Sequence, residues 1–195
     1  MSSARHARKQ TFVQLLHGAP LLLIPVPVDS ETGEQDQALL DSLDACTSGS
    51  GEPIPPSADG LPFSTATVPG EGERRGSVLA RMNGDGVLYA VVLHKRPGSR
   101  TISEHRICLG RSHGNDIVLR APSVSKLHAW FARGEGQQYF VVDAGSHNGT
   151  RVREVLLEPK KAMQISSGDV IQFGSVEATF CTPADFWDVL AASPR

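Results

Sequence analysis

Four short stretches of this 195-residue chain hold the side chains best suited to chemistry. They are Gly110-Arg111, Ser125-Lys126-Leu127-His128, Ser146-His147-Asn148-Gly149-Thr150-Arg151-Val152, and Ser167 to Gly174. The first three offer a planar guanidinium, a hydroxyl next to an ammonium, and a side-chain amide in an Asn-Gly turn. Together these make the inventory of a phosphate receptor: bidentate, charge-assisted and neutral donors without a nucleophile beside a base. Each residue also has an ordinary reading. Arg111 and Lys126 could be solvated charges, Ser125 a turn cap, and Asn148-Gly149 simply a tight turn with positive φ.

The surrounding pattern must place these side chains on loops. Asp116 to Leu119, Leu127 to Phe131 and Tyr139 to Val142 read as strands, so Arg111, Ser125, Lys126 and Asn148 fall between strands. The series continues on both sides. Val87 to His94, Thr101 to Leu109, Lys161 to Ile165, Asp169 to Phe173 and Val176 to Cys181 are β-rich runs separated by turn signals. Gly134-Glu135-Gly136 reads as a hairpin loop. Such spacing predicts an all-β, antiparallel sandwich. Thr182-Pro183, with Asp185 in the first turn, then predicts a helix from Pro183 to Ala192.

At these motifs the sequence resembles the forkhead-associated domain family, over roughly Val78 to Phe180. The order of Gly110-Arg111, Ser125-Lys126-Leu127-His128, the Ser146 to Val152 run and Ser167 to Gly174 carries the resemblance. It implies a forkhead-associated/SMAD-like β-sandwich that binds phosphothreonine peptides, with a preference over phosphoserine through an apolar contact to the threonine methyl. It implies phosphopeptide-binding roles for Arg111, Ser125, Lys126, His147 and Asn148. Gly110, His128, Gly149 and Thr150 would support the loops, His128 as a packed residue behind the serine loop and neither base nor metal ligand. Three positions depart from the family pattern. Lys126 stands where many members have arginine, His147 where threonine or serine is common, and Arg153-Glu154 where an Asn-Gly turn is frequent.

Composition bounds the rest. A hydrophobic share of 39% suffices for a core, and 13 prolines with 19 glycines imply many turns. Net charge is −2, so no global positive charge points to nucleic acid. Residues 78–181 carry 13 Lys/Arg against 9 Asp/Glu, whereas residues 1–77 carry 5 against 10. A mildly basic domain beside an acidic leader suits an anionic ligand. Three separated cysteines, Cys46, Cys108 and Cys181, form neither a disulfide framework nor a zinc pattern, and no cofactor or metal is expected. Leu21 to Ile24 is far shorter than the ~20 residues of a membrane span. The expectation is a cytoplasmic protein without a membrane or nucleic-acid partner.

Taken in order, residues 1–46 read as a small N-terminal α/β appendage. Ala4 to Leu16 would form a helix ended by Gly18-Ala19-Pro20. Leu21 to Val28 would form an edge strand because of Pro25 and Pro27, and Asp36 to Leu43 a helical turn or two. Residues 47–77 form a Pro/Gly/Ser-rich linker, 78–181 the sandwich, and 182–195 the C-terminal helix and tail. Thr65 and Thr67 in the linker are candidate sites of phosphorylation, which would let the domain bind its own leader.

Three functions compete. The leading one is a non-catalytic adaptor for phosphothreonine-containing partners, such as Ser/Thr kinase substrates. The second is a structural module that uses its terminal extensions independently of phosphate. The third is a hydrolase suggested by Gly145-Ser146-His147-Asn148-Gly149. Here, however, the serine is one place early for a nucleophile elbow and both flanks read as strands.

Overall fold

Alternating apolar side chains on short β-branched runs determine most of the architecture. The computed structural model describes residues 2–27, 37–42, 66–67, 86–96, 99 and 105–192. Two helices bracket the strands, α1 (Ser2–Leu15) and α3 (Pro183–Ala192), with a short helical segment α2 at 37–42. The strands are β1 (Leu21–Pro27), β2 (Ala66–Thr67), β3 (Gly86–Val92), β4 (Arg106–Gly110), β5 (Ile117–Val118) and β6 (Ala129–Arg133). They continue as β7 (Tyr139–Asp143), β8 (Thr150–Val152), β9 (Val155–Leu156), β10 (Ala162–Ile165), β11 (Val170–Phe173) and β12 (Val176–Cys181). Most of the linker, the segment 97–98 and residues 100–104 lie outside the described residues, as does Thr65. Thr67 lies in β2 opposite Val87 of β3.

The strands form a seven-stranded sheet ordered β2-β3-β1-β12-β11-β8-β9 and a five-stranded sheet ordered β10-β7-β6-β4-β5. All pairings are antiparallel among the described residues except β4 with β5. That parallel pair sets Leu109 against Ile117 and Gly110 against Val118. It sends the chain past Gly110 in one direction twice, which brings two loops to the same end of the sandwich. Gly134-Glu135-Gly136 lies in the hairpin loop between antiparallel β6 and β7, where a short 3-10 turn spans Glu135–Gln137.

The strand β1 corrects an expectation. It is interior, paired with β3 from Leu21 to Pro27 and with β12 from Leu21 to Leu23. The β12 pairing stops before Pro25, so both prolines occupy the part of β1 with a single partner. Being two residues apart, they point their missing donors to the same, unpaired side. The edge rule therefore applies to half of this strand, and the other half is central.

Alternation along β1 explains its unbroken apolar run. Leu22 and Ile24 enter the core between the sheets, which also holds Phe131, Phe173 and Phe180. Leu21 and Leu23 face outward, into a second cluster with Phe12 of α1, Leu88 of β3 and Phe186 of α3. The two helices thus cover the outer face of the seven-stranded sheet, joined by ring contacts of Phe12 with Phe186 and Trp187 and by a Lys9–Asp188 ion pair at 2.6 Å. Leu39 and Leu40 of α2 pack against the inter-sheet core. None of the helices is long and apolar enough to cross a membrane among the described residues.

Candidate functional site

Three loops and one turn meet at the end of the sandwich where β4 and β5 run out. The loop 111–116 follows β4, 119–128 joins β5 to β6, 144–149 joins β7 to β8, and Gly174-Ser175 joins β11 to β12. Backbone bonds lock the first two together: Arg111 N donates to Ser125 O at 2.9 Å, and Ser112 N to Lys126 O at 3.2 Å. Buried Asn115 adds Nδ2 bonds to Ser112 O at 2.8 Å and Lys126 O at 2.6 Å. Gly110 makes this approach possible. A Cβ there would stand 2.5 Å from Lys126 O and 2.9 Å from Leu127 Cα, inside contact distance of backbone atoms.

Ser125 and His128 tie the second loop to the third. The Ser125 hydroxyl oxygen accepts from His147 N at 3.0 Å, which leaves its proton to be donated elsewhere. Fully buried His128 accepts from Ser125 N at Nδ1, 3.0 Å away, and its Nε2 bonds Gly149 O at 3.1 Å. Its ring meets Phe173 edge-on, 5.9 Å between centroids. Burial, partly offset by the Gly149 bond and the nearby Asp143 charge, pushes the His128 pKa below the usual imidazole range. This is a neutral, doubly bonded ring with no spare nitrogen for a metal or a proton relay.

Asn148 is exposed, and its Nδ2 donates to Ser123 O at 2.7 Å. The remaining amide proton and the Oδ1 oxygen are left for another partner. Ser123 in turn bonds Ser175, hydroxyl to hydroxyl at 2.7 Å, and its oxygen accepts from Ser175 N at 3.1 Å. Gly149, at φ 76°, accepts from Gly174 N at 3.2 Å. The guanidinium of exposed Arg111 is held by one bond, Nε to Val124 O at 3.1 Å. Its two terminal NH2 groups, the pair that grips an oxyanion side-on, have no partner among the described residues. Lys126 is exposed on the second loop, next to Ser125. Arg111, Ser125, Lys126, His147 and Asn148 therefore sit on directly bonded loops.

Asp143, which the motif reading passed over, organises the third loop. Its buried carboxylate accepts from Gly145 N at 2.8 Å and Ser146 N at 2.9 Å through Oδ1. Through Oδ2 it accepts from the hydroxyls of Ser146 at 2.6 Å and buried Thr150 at 2.7 Å. Burial alone would raise its pKa, but these four bonds outweigh it and hold the carboxyl below the usual range. An Asp two residues before a glycine is a local turn signal, so Asp143 was findable. The Ser123–Ser175 link spans 52 residues and leaves no local trace. No group of three or more His, Cys, Asp or Glu side chains among the described residues could hold a metal ion.

The structure is a β-sandwich with hydrogen-bond donors gathered on interlocked loops at one end. Residues 107–174 match the family model of the FHA domain. Over 84 residues it is 43% identical to the oxoglutarate dehydrogenase inhibitor of Corynebacterium jeikeium, covering 43% of this chain and 56% of that one. Over 73 residues it is 41% identical to the glycogen accumulation regulator GarA of Mycolicibacterium smegmatis, covering 37% and 44%. The chain thus spans about half the length of the curated relatives it matches. Among solved structures it is similar to Mycobacterium tuberculosis EmbR in complex with a low-affinity phosphopeptide. That match has 34% identity and a TM-score of 0.36, and covers 40% of this chain and 20% of that one.

Proposed function

We propose that this protein is a non-catalytic adaptor or regulator that binds phosphothreonine peptides and couples Ser/Thr kinase output to a partner protein. The observation that carries the reading is the set of unspent donors on rigid loops: the Arg111 NH2 pair, the Ser125 hydroxyl proton and the free half of the Asn148 amide. A phosphothreonine carries close to two negative charges and three acceptor oxygens, which such donors match in number and kind. Lys126 adds charge, His147 borders the ligand, and Gly110, His128, Gly149 and Thr150 hold the loops that carry them. The FHA match and relatives named as an inhibitor and a regulator support a binding role.

Catalysis has no support at the same loops. The Ser146 hydroxyl is committed to Asp143, whose four hydrogen bonds make it a poor base. The apolar faces of α1 and α3 are spent on each other and on the sheet, which weighs against a docking role for the extensions. A linker phosphorylated at Thr65 or Thr67 would be a competing ligand within the chain. Arg111→Ala is the test. Calorimetric titration with a phosphothreonine peptide should show a loss of about 2–4 kcal/mol, as for removal of one member of a desolvated charge pair. Thermal unfolding should change little, because Arg111 contributes a single part-buried side-chain bond. Equal binding by the variant and the parent would overturn the site.

A further inference from the structure

Beside the Arg111 loop lies a second group of positive side chains that the phosphothreonine site does not use. The Arg96 guanidinium donates through Nη2 to His113 O, and that of Arg120 through Nη2 to the His113 ring nitrogen Nε2. Arg96 and Arg120 are half-buried and His113 is exposed. Two guanidinium groups, which repel one another, are thus brought to the same residue. No ion pair joins either of them to a carboxylate among the described residues. The acid bonded to the Arg96 backbone, Asp116, is buried and occupied: it accepts from Cys108 N at 2.8 Å, Arg96 N at 3.2 Å and Lys95 Nζ at 3.0 Å.

The fold fixes where this patch lies. Leu119 N donates to Gly110 O at 3.1 Å, so parallel β5 carries Arg120 up beside the loop that begins with Arg111. His113 is two residues from Arg111, which limits the separation of their Cα atoms to about 7 Å. An extended peptide covers about the same distance in two residues. We infer that Arg96, His113 and Arg120 form a subsite for a second anionic group of the bound peptide. That group, a carboxylate or a further phosphate, stands two to four residues from the phosphothreonine. The inference rests on the phosphothreonine reading and adds the class of sequence selected.

The test is fluorescence anisotropy with the full chain and phosphothreonine peptides that differ only in flanking residues: Glu, phosphoserine or Gln, placed on either side. For the parent protein, one placement of Glu should bind roughly three- to ten-fold tighter than Gln, the range of one or two partly exposed ion pairs. Phosphoserine should gain more than Glu, and raised salt should erase both gains. In Arg96→Gln/Arg120→Gln the preference should vanish, while affinity for the Gln peptide stays put. Equal binding of all peptides by the parent, with loss in Arg111→Ala, overturns the subsite alone. A preference retained by the double variant also overturns it. Absence of binding by any phosphopeptide sinks the phosphothreonine reading and the subsite with it.

Discussion

With its ring wholly buried, His128 accepts a bond at Nδ1 from Ser125 N and offers Nε2 to Gly149 O, which only the neutral Nε2–H tautomer satisfies. Protonation would set two N–H groups against each other at Ser125 and charge a group without water. The folded-state pKa is accordingly depressed below the unfolded value of about 6.5. A depressed value means that the unfolded chain binds the proton first. Stability is then complete above the unfolded value and is lost as pH falls through the folded one. Urea midpoints measured from pH 7.5 down to 5 should decline for the parent, and decline less for His128→Gln, which is weaker throughout. Matching slopes in the two proteins would reject this assignment. Gly110 supports the same loops sterically. Gly110→Ala sets a methyl against Lys126 O and Leu127 Cα, backbone atoms that cannot turn aside, and should cost about 1–3 kcal/mol in urea denaturation. Arg111, Ser125, His128, Asn148 and Thr150 were legible because each lies in a short motif. The cross-loop partners Ser123 and Ser175 were not, since what makes them important is 52 residues away.

At the scale of elements, the hairpin β8–β9 shows where sequence and geometry disagree. Its two-residue turn, Arg153-Glu154, has φ of 51° and 69°, a pattern that glycine or asparagine adopts with less strain. Arg153 has compensation: its side chain pairs with Asp169 at 2.8 Å, and its N–H bonds Val170 O at 2.9 Å. No comparable bond is seen for Glu154, which is exposed, among the described residues. Glu154→Gly should therefore stabilise the protein by about 0.5–1 kcal/mol, the relief of left-handed strain less the entropy that glycine loses. A thermal melt measures the gain, and phosphopeptide affinity should not move. An unchanged or lower Tm would show that the turn is unstrained. Most strands were readable from alternation because each has one buried face. The status of β1 was not, because its prolines describe only the half beyond Leu23, and pairing with β12 depends on a segment over 150 residues away. The parallel β4–β5 pair was hidden for the same reason: two residues of β5 carry no signal of direction.

For the whole molecule, the loop end that carries Arg111, Ser125 and Asn148 and the N-terminal strand are distant in sequence and joined through the sheets. The FHA match stops at residue 174, before β12, and excludes β1 and β3. Yet β1 joins β3 to β12, and without it the seven-stranded sheet divides into β2-β3 and β12-β11-β8-β9. Leu21, Leu22, Leu23 and Ile24 are all at most 2% exposed. Burying one such side chain contributes about 1.5–3 kcal/mol, so losing four approaches or exceeds the 5–15 kcal/mol that typically holds a domain together. Removal of residues 1–27 should then yield a chain that gives no cooperative melt and no phosphopeptide binding, although every loop donor is still encoded. Removal of residues 1–15 alone is the informative contrast. It strips Phe12 from Leu21, Leu23, Leu88 and Phe186 but leaves β1 paired with β3 and β12, so a lower Tm with retained cooperativity and retained binding is expected. Near-UV circular dichroism during heating, with anisotropy on the same samples, separates the two cases. If the 28–195 chain melts cooperatively near the parent temperature, β1 is an accessory strand and the sandwich closes without it.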